Sequence, residues 1–445
     1  MKFKHCLSFL MAAAIMLCMI FHGIPSVYAA PSMTESVQAG KPALGENRGM
    51  ENYHYNYAKP VWSYLYANER GGLTRVQYAG KSVLIEEYDS GFNFISNMML
   101  PTELTIWGGF FAGKNYNFFI FGDKNPEESN EKEVVRVVKY SKDWQRLGQT
   151  SFFGINTVEP FHAGSLRCIE DNNYLYIRTC HKMFRSRDGL NHQANMSLVI
   201  RQEDMGIART ASAVSDNGTG YVSHSFNQFV LIDQNQKLVT MDHGDAYPRS
   251  LVMMRYSGSQ SDGIKLGGSV EKSHIQKFPG EIGDNRTDAC AGGFAETATS
   301  YVTAYKYDGG QRTWNAQYNI YFGYTTKDGF VSNSFPITQY TETVINTPVL
   351  APTGLDGGYI LWQNTPVHTG EDYSYARDHQ ISYVRYTDTG ITGEVITAHA
   401  LMSDCQPIPY NGEVVWYVVD SYINPDGPIF YRIDANGVLN SVPIH

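Results

Sequence analysis

From Val61 onward apolar and aromatic residues come in short runs, each closed by a cluster of Asp, Asn, Gly or Ser. Runs of that kind read as β-strands, whereas amphipathic helical spacing over eleven or so residues is hard to find. The best helical candidate, Arg201–Thr210, is short and interrupted by Gly206. The plainest stretch is 221–270, which predicts four strands in a row: Tyr221–Asp233, Lys237–Met241, Ser250–Ser257 and Ile264–Val270. Asp233–Gln236 and Ser259–Gly263 predict polar turns. The middle connection, Asp242-His243-Gly244-Asp245-Ala246-Tyr247-Pro248-Arg249, is crowded with reactive side chains.

The same hairpin returns along the chain: an apolar strand, a polar turn, a second strand. Copies begin at Val83, Val135, Met183, Leu251, Ile320, Ile381 and Ile429, with turns such as Asp89-Ser90-Gly91 and Asp388-Thr389-Gly390. Asp, Asn and Gly recur because tight turns need residues that accept positive φ or bond their own backbone. Seven copies over 83–429 give a mean period of about 58 residues. Each is preceded by another strand pair, as in Trp107–Ala112 with Asn115–Phe121. Repeats of roughly 40–50 residues carrying four strands mark propeller blades, and the excess leaves room for loops. Segments such as Asn117-Phe118-Phe119-Ile120-Phe121 are apolar on both faces, as a sheet squeezed between two others allows and a water-facing sandwich strand does not. A β-helix has shorter repeats, and serial sandwiches need linkers that are absent here. The expected fold is therefore all-β, a seven-bladed β-propeller of four-stranded antiparallel blades over 58–445.

The first thirty residues form a different pattern. Lys2 and Lys4 precede a mostly apolar stretch, Leu7–Ile20, and Ser26–Ala30 offers small residues for cleavage. This predicts a secretory signal peptide over 1–30, too short to span a membrane stably, and hence export. Residues 31–57 lack periodicity and predict a flexible tail. The formal charge is −9, and loss of residues 1–30 removes two lysines to leave about −11. That excludes nucleic acid or anionic lipid as a partner, since both need clustered Lys and Arg. No later segment predicts a membrane span, and the expected state is a monomer. Export permits disulfides, but the expectation for Cys168, Cys180, Cys290 and Cys405 is free, buried thiols, with a Cys290–Cys405 bridge as the alternative. Around the turn at Asp171-Asn172, Cys168 should face Leu175 or Ile177 rather than Cys180.

With strands a to d running outward from the axis, the a–b and c–d turns share one face. The b–c connections and the d–a links share the other. The first set is short, and the second includes Asp123–Glu133, Asp242–Arg249, Asp308–Asn315, Asn364–Gln380 and Asp420–Pro428. Long loops on a rigid scaffold are where binding concentrates. His162, His224, Asp242, His243, Asp245, Arg249, Arg286 and Asp288 fall on that face and are the candidate ligand-binding residues. Glu159, His181 and Asn227 lie nearby, and Trp314, Tyr373 and Tyr422 could stack on sugar rings. Each has a plainer reading: a strand-end histidine is usually structural, Asp242 and Asp245 could bond only loop backbone, and Arg286–Asp288 could be an ordinary ion pair. Nucleophile-elbow, zinc-protease and Cys-x-x-Cys patterns are missing; converging His and carboxylate groups could bind a metal, work as acid and base or hold sugar hydroxyls, and the sequence leaves cofactor and metal unknown. Gly80-Lys81-Ser82 resembles the end of a phosphate loop, but Arg75 stands where the earlier glycine is required. Asn217-Gly218-Thr219 matches a glycosylation sequon.

Ser186-Arg187-Asp188-Gly189 resembles the start of the Asp-box turn of sialidases, without the later Thr-Trp, and implies a turn rather than an activity. Phe161-His162-Ala163-Gly164-Ser165-Leu166-Arg167, Ser223–Phe229 and Asp242–Arg249 resemble exported bacterial propeller proteins of uncharacterised function. That resemblance implies the fold and export and carries no catalytic residue. The expected function is a secreted propeller binding an extracellular glycan or other cell-surface polymer through its long-loop face. The alternatives are a polysaccharide-active hydrolase or lyase, with Asp and Glu as acid and base, and a protein-interaction scaffold.

Overall fold

The structure is a computed structural model that describes residues 47, 58–214, 225–246, 248–282, 284, 286–313, 316–366 and 380–444. Among them there is no α-helix, and so none long and apolar enough to cross a membrane. The described residues hold thirty strands in seven antiparallel sheets, each taken in one pass along the chain. These are blades I to VII of a β-propeller, with strands a to d in chain order. Blade I, for example, is Ser63–Ala67, Leu73–Tyr78, Ser82–Tyr88 and Phe94–Pro101. The a strands of neighbouring blades touch around the axis from blade II through blade VII and on to blade I. Blades III and VI carry one extra short strand, Thr157–Pro160 and Thr343–Ile345, paired to the upper end of strand b.

The blades cohere because their middle strands are apolar on both sides. Strand b of blade II, Asn117–Gly122, and strand b of blade V, Ser300–Tyr307, are buried along their whole length. Side chains alternate between the two faces of a strand, so each sheet feeds two separate cores. Phe119 and Phe121 pack towards blade I, while Phe118 and Ile120 pack towards blade III.

The c–d turns close these cores from below with an unexpected device. In blades I, II, III and V the turn places an apolar residue in the left-handed region: Phe92 at φ 66°, Trp144 at 64°, Met205 at 60° and Phe330 at 51°. All four are at least nine-tenths buried, each in the core shared with the preceding blade. A left-handed non-glycine costs about 1–2 kcal/mol, and burying a large apolar side chain returns about 1.5–3 kcal/mol. Burial wins, which is why glycine is not needed there. Blade IV fills the same gap with Ile264 and Leu266 from a longer c–d connection.

The hairpin repeat locates strand c correctly in six blades and misses in blade III. Met183 ends strand b, Tyr174–Met183, and strand c is Gln193–Arg201. The turn at Ser186–Gly189 therefore joins b to c, not c to d. The helical candidate Arg201–Thr210 is a turn followed by strand d, Ile207–Ala211. In blade IV strand d is Val270–Lys277, not Ile264–Val270. Cys168, Cys180, Cys290 and Cys405 are free thiols, the last three buried, and Cys168 lies opposite Ile177.

Candidate functional site

The connection Asp242–Arg249 is shorter than its polarity suggests. Strand b of blade IV is Leu238–Asp245 and strand c is Arg249–Tyr256, so only 246–248 turn. Asp245 pairs directly with Arg249 across the ladder. Because Asp242 and His243 are consecutive strand residues, they point to opposite faces. Asp242 faces blade III, where both oxygens take the Arg178 guanidinium, at 3.2 Å to Nε and 2.5 Å to Nη2. His243 faces blade V, with Nε2 2.9 Å from Thr287 Oγ1 and its ring against Phe278. Burial first, and then the Arg249 guanidinium, push its imidazole down to about 3, so it is neutral at physiological pH.

Arg249 acts as a staple. Its Nε donates to Pro279 O at 2.8 Å and Nη1 to Asp245 O at 3.3 Å, and it also reaches the carbonyls of Asp284 and Arg286. Those bonds fold the link from strand d of blade IV to strand a of blade V, Ala289–Glu296, against the ends of strands b and c. The link then presents Asp284, Arg286 and Asp288. Arg286 Nε bonds Asp288 Oδ1 at 2.5 Å, and Tyr318 Oη donates to the same oxygen at 3.3 Å. Arg312, from the b–c connection of blade V, pairs with Asp284, and its Nε lies 3.9 Å from Asp288 Oδ2. Asp308 shapes that connection by accepting the N–H groups of Gly310 and Arg312 at 2.8 and 2.7 Å.

The result is a cluster of guanidinium and carboxylate groups at the rim between blades IV and V. Arg286, Arg312 and Asp284 reach solvent, with side chains 41%, 30% and 32% exposed, over a buried Asp288. Partial burial would raise Asp284, but the Arg286 backbone N–H and the Arg312 guanidinium outweigh it and hold the carboxyl below its usual range. Beneath lie Phe278 and Tyr307, in edge contact at 5.5 Å, and Tyr321 packs on Tyr307 at 5.5 Å.

Five of the eight sequence candidates therefore share this corner: His243, Asp245, Arg249, Arg286 and Asp288. Asp242 does not; it is sealed between blades III and IV. His162 lies in the link into blade III, bonded through Nδ1 to Gln193 Nε2 at 2.6 Å. His224, Trp314, Tyr373 and the sequon at 217–219 lie outside the described residues. Tyr422 stands 79% exposed on the b–c connection of blade VII. His181 is buried in strand b of blade III, with Nδ1 2.7 Å from Thr157 Oγ1, and Glu159 pairs with Lys124 at 3.0 Å. Asn227 bridges the inner strands, taking the Ser165 hydroxyl at 2.6 Å and donating to Ala291 O at 2.6 Å. Sequence reasoning missed Asp284, Arg312 and Tyr318. The turn-forming run Asp308-Gly309-Gly310 was the available signal that Arg312 would be turned inward. The Asp-box-like turn lies on this same face, where Asp188 accepts Leu190 N–H at 3.0 Å and sits 2.7 Å from His192 Nε2.

Among the described residues no group of three or more His, Cys, Asp or Glu is arranged to hold a metal ion. No protein-family model matches the chain, and no curated protein matches it. Solved structures similar to it include a Cellvibrio cellulosa α-L-arabinanase complexed with arabinohexaose, at 9% identity and TM-score 0.34, over 64% of this chain and 93% of that one. A Bacillus subtilis arabinanase aligns at 12% identity and TM-score 0.30, over 62% and 92%. A polysaccharide lyase, an ulvan lyase, aligns at 13% identity and TM-score 0.41, over 75% and 81%. Likeness of this size says nothing of what the present chain binds, so its chemistry rests on its own residues.

Proposed function

We propose that the chain is a secreted propeller that binds a neutral stretch of an extracellular glycan at the rim between blades IV and V. The observation that carries the reading is the solvent-reaching cluster of Arg286, Arg312 and Asp284 above Asp288. It offers fixed donors and fixed acceptors side by side, and the two exposed guanidinium groups are matched in formal charge by Asp284 and Asp288. Sugar hydroxyls both donate and accept, and a charge-matched lattice of this kind suits them better than it suits a polyanion. Export is the companion proposal, supported by the basic, apolar and small-residue order of residues 1–30.

Binding is favoured over hydrolysis by the state of the carboxylates. A general acid must hold a proton near neutral pH. Asp284 is held below the usual range, and Asp308, which burial raises, is sealed from solvent and occupied by the Gly310 and Arg312 backbone N–H groups. His243 is neutral and buried. Calorimetry of the chain with a panel of neutral polysaccharides tests the proposal. Arg286→Ala and Arg312→Ala should each weaken the bound polysaccharide about tenfold or more, the size of a lost charge-assisted hydrogen bond. Reducing ends should not accumulate. Unchanged affinity in both variants would remove this site from consideration.

A further inference from the structure

A cleft of about 240 Å3 opens between blades I and II on the a–b and c–d side of the ring, the face opposite the arginine cluster. Blade I builds one wall. Strand c sets Ile85 and Glu87 on the face turned to blade II, and strand d sets Met98 and Ser96 directly across the ladder from them. Arg70, in the a–b turn, reaches over to Glu87 with Nη1 3.0 Å from Oε2. Blade II supplies Asp143 and Trp144 from its c–d turn. Trp144 is one of the left-handed residues described above, 5% exposed, its N–H bonded to Ser141 O at 3.1 Å and its ring stacked near Phe119 at 6.0 Å. A bulky residue held in that conformation by its own core fixes the wall without need of a ligand.

The lining divides by chemistry. Ile85, Met98 and Trp144 make an apolar floor. Arg70, Glu87, Ser96 and Asp143 make a polar rim with one cation and two carboxylates. An apolar pocket with a few convergent polar groups is the usual form of a small-molecule site. The rim's net negative charge opposes phosphate, sulfate and uronate. The floor opposes a bare cation, which needs a shell of oxygen ligands. What fits both is a neutral, polyhydroxylated ring: its C–H surface meets the floor, and its hydroxyls donate to Glu87 and Asp143 and accept from Arg70. The volume lies below the ~300–1,000 Å3 that accommodates drug-sized ligands, which limits the occupant to a single ring.

We propose that this cleft is a second carbohydrate site, taking one neutral hexopyranose unit on the face away from the rim cluster. It shares no residue with that cluster and stands or falls separately from it. The test uses the full chain and ligand-observed NMR with glucose, galactose, mannose and xylose, with glucuronate and inorganic phosphate as anionic arms. At least one neutral sugar should bind saturably. Arg70→Ala and Asp143→Ala, both in exposed turns, should each weaken it about tenfold, and Arg286→Ala should leave it unchanged. Glucuronate and phosphate should not bind. The proposal is overturned if no neutral sugar binds, if Arg70→Ala and Asp143→Ala leave the binding intact, or if an anion binds in preference.

Discussion

Arg178 and Asp242 meet with almost no water between blades III and IV: the guanidinium side chain is 1% exposed and the carboxylate 0%. Arg178 also donates to Ser197 Oγ at 2.7 Å. A buried pair adds little over a well-packed apolar replacement, but removing one partner strands the other charge and costs about 3–5 kcal/mol. Asp242→Asn should therefore lower the denaturant-derived unfolding free energy by about that much, with polysaccharide binding at the rim unaltered in the fraction that remains folded. A loss under 1 kcal/mol would mean that the pair is relieved by water. The buried histidines make a second residue-scale prediction. Burial holds His181 down at about 4, against a bond from the Ser212 backbone, and holds His243 at about 3. Both folded values lie below the unfolded value of about 6.5. Stability is then complete above that pH and is lost as pH falls, because only the unfolded chain takes up the protons. By pH 4.5 the loss is roughly 2–3 kcal/mol per histidine. The double variant His181→Gln and His243→Gln should flatten the fall between pH 6.5 and 4.5, and an unchanged slope in chemical denaturation would refute it.

At the scale of elements, one backbone conformation should give opposite answers in two turns. Trp144 and Gln236 both sit near φ 60°, but Trp144 is buried and Gln236 exposed. Trp144→Gly relieves about 1–2 kcal/mol of left-handed strain and loses about 3–5 kcal/mol of packing, a net cost of about 1–4 kcal/mol. Gln236→Gly relieves the same strain, less the added chain entropy of glycine, and should stabilise by about 0.5–1 kcal/mol. Denaturant midpoints of the two variants check this; a common sign would show that conformation, not burial, decides. These turns also mark how far the sequence could be read. Polar turn residues and apolar runs were visible, so blade count and most strands were legible. What could not be read was parity. Asp242-His243-Gly244-Asp245 looks like a loop because it is polar. It is strand because Asp242 and His243 find buried partners outside their own sheet, Arg178 and Thr287, 64 and 44 residues away in sequence. The same blindness hid Arg312, whose carboxylate partner Asp284 is 28 residues distant.

The whole ring poses the problem of closure. Blade I is built from the N-terminal side and blade VII from the C-terminal side, and among the described residues no sheet is shared across the seam. Hydrogen bonds and apolar contacts join the two blades. Tyr410 Oη donates to Gly71 O at 2.7 Å, and Trp62 N–H donates to Asp404 Oδ2 at 2.7 Å. The Arg75 guanidinium, 3.1 Å from Glu86 and fully buried, lies 5.1 Å from the centre of the Tyr417 ring. A continuous apolar core runs from Leu73 and Phe92 into Tyr417 and Phe430. Asn47 adds a clip from beyond the first blade: its N–H reaches Val419 O at 3.2 Å, and its Oδ1 accepts Val419 N–H at 2.6 Å. Because Val419 follows the last residue of strand b in blade VII, Glu413–Val418, this clip secures the end of that strand. Asn47→Ala removes the acceptor but not the backbone bond, and a buried donor left without a partner costs about 1–3 kcal/mol. The variant should lose stability in that range. Its hydrogen exchange should rise first at the Val419 amide and then along strand b of blade VII, while blade IV, across the ring, keeps its protection. If exchange rises uniformly in all seven blades, the seam is no weaker than the rest of the ring, and closure is carried by the apolar core alone.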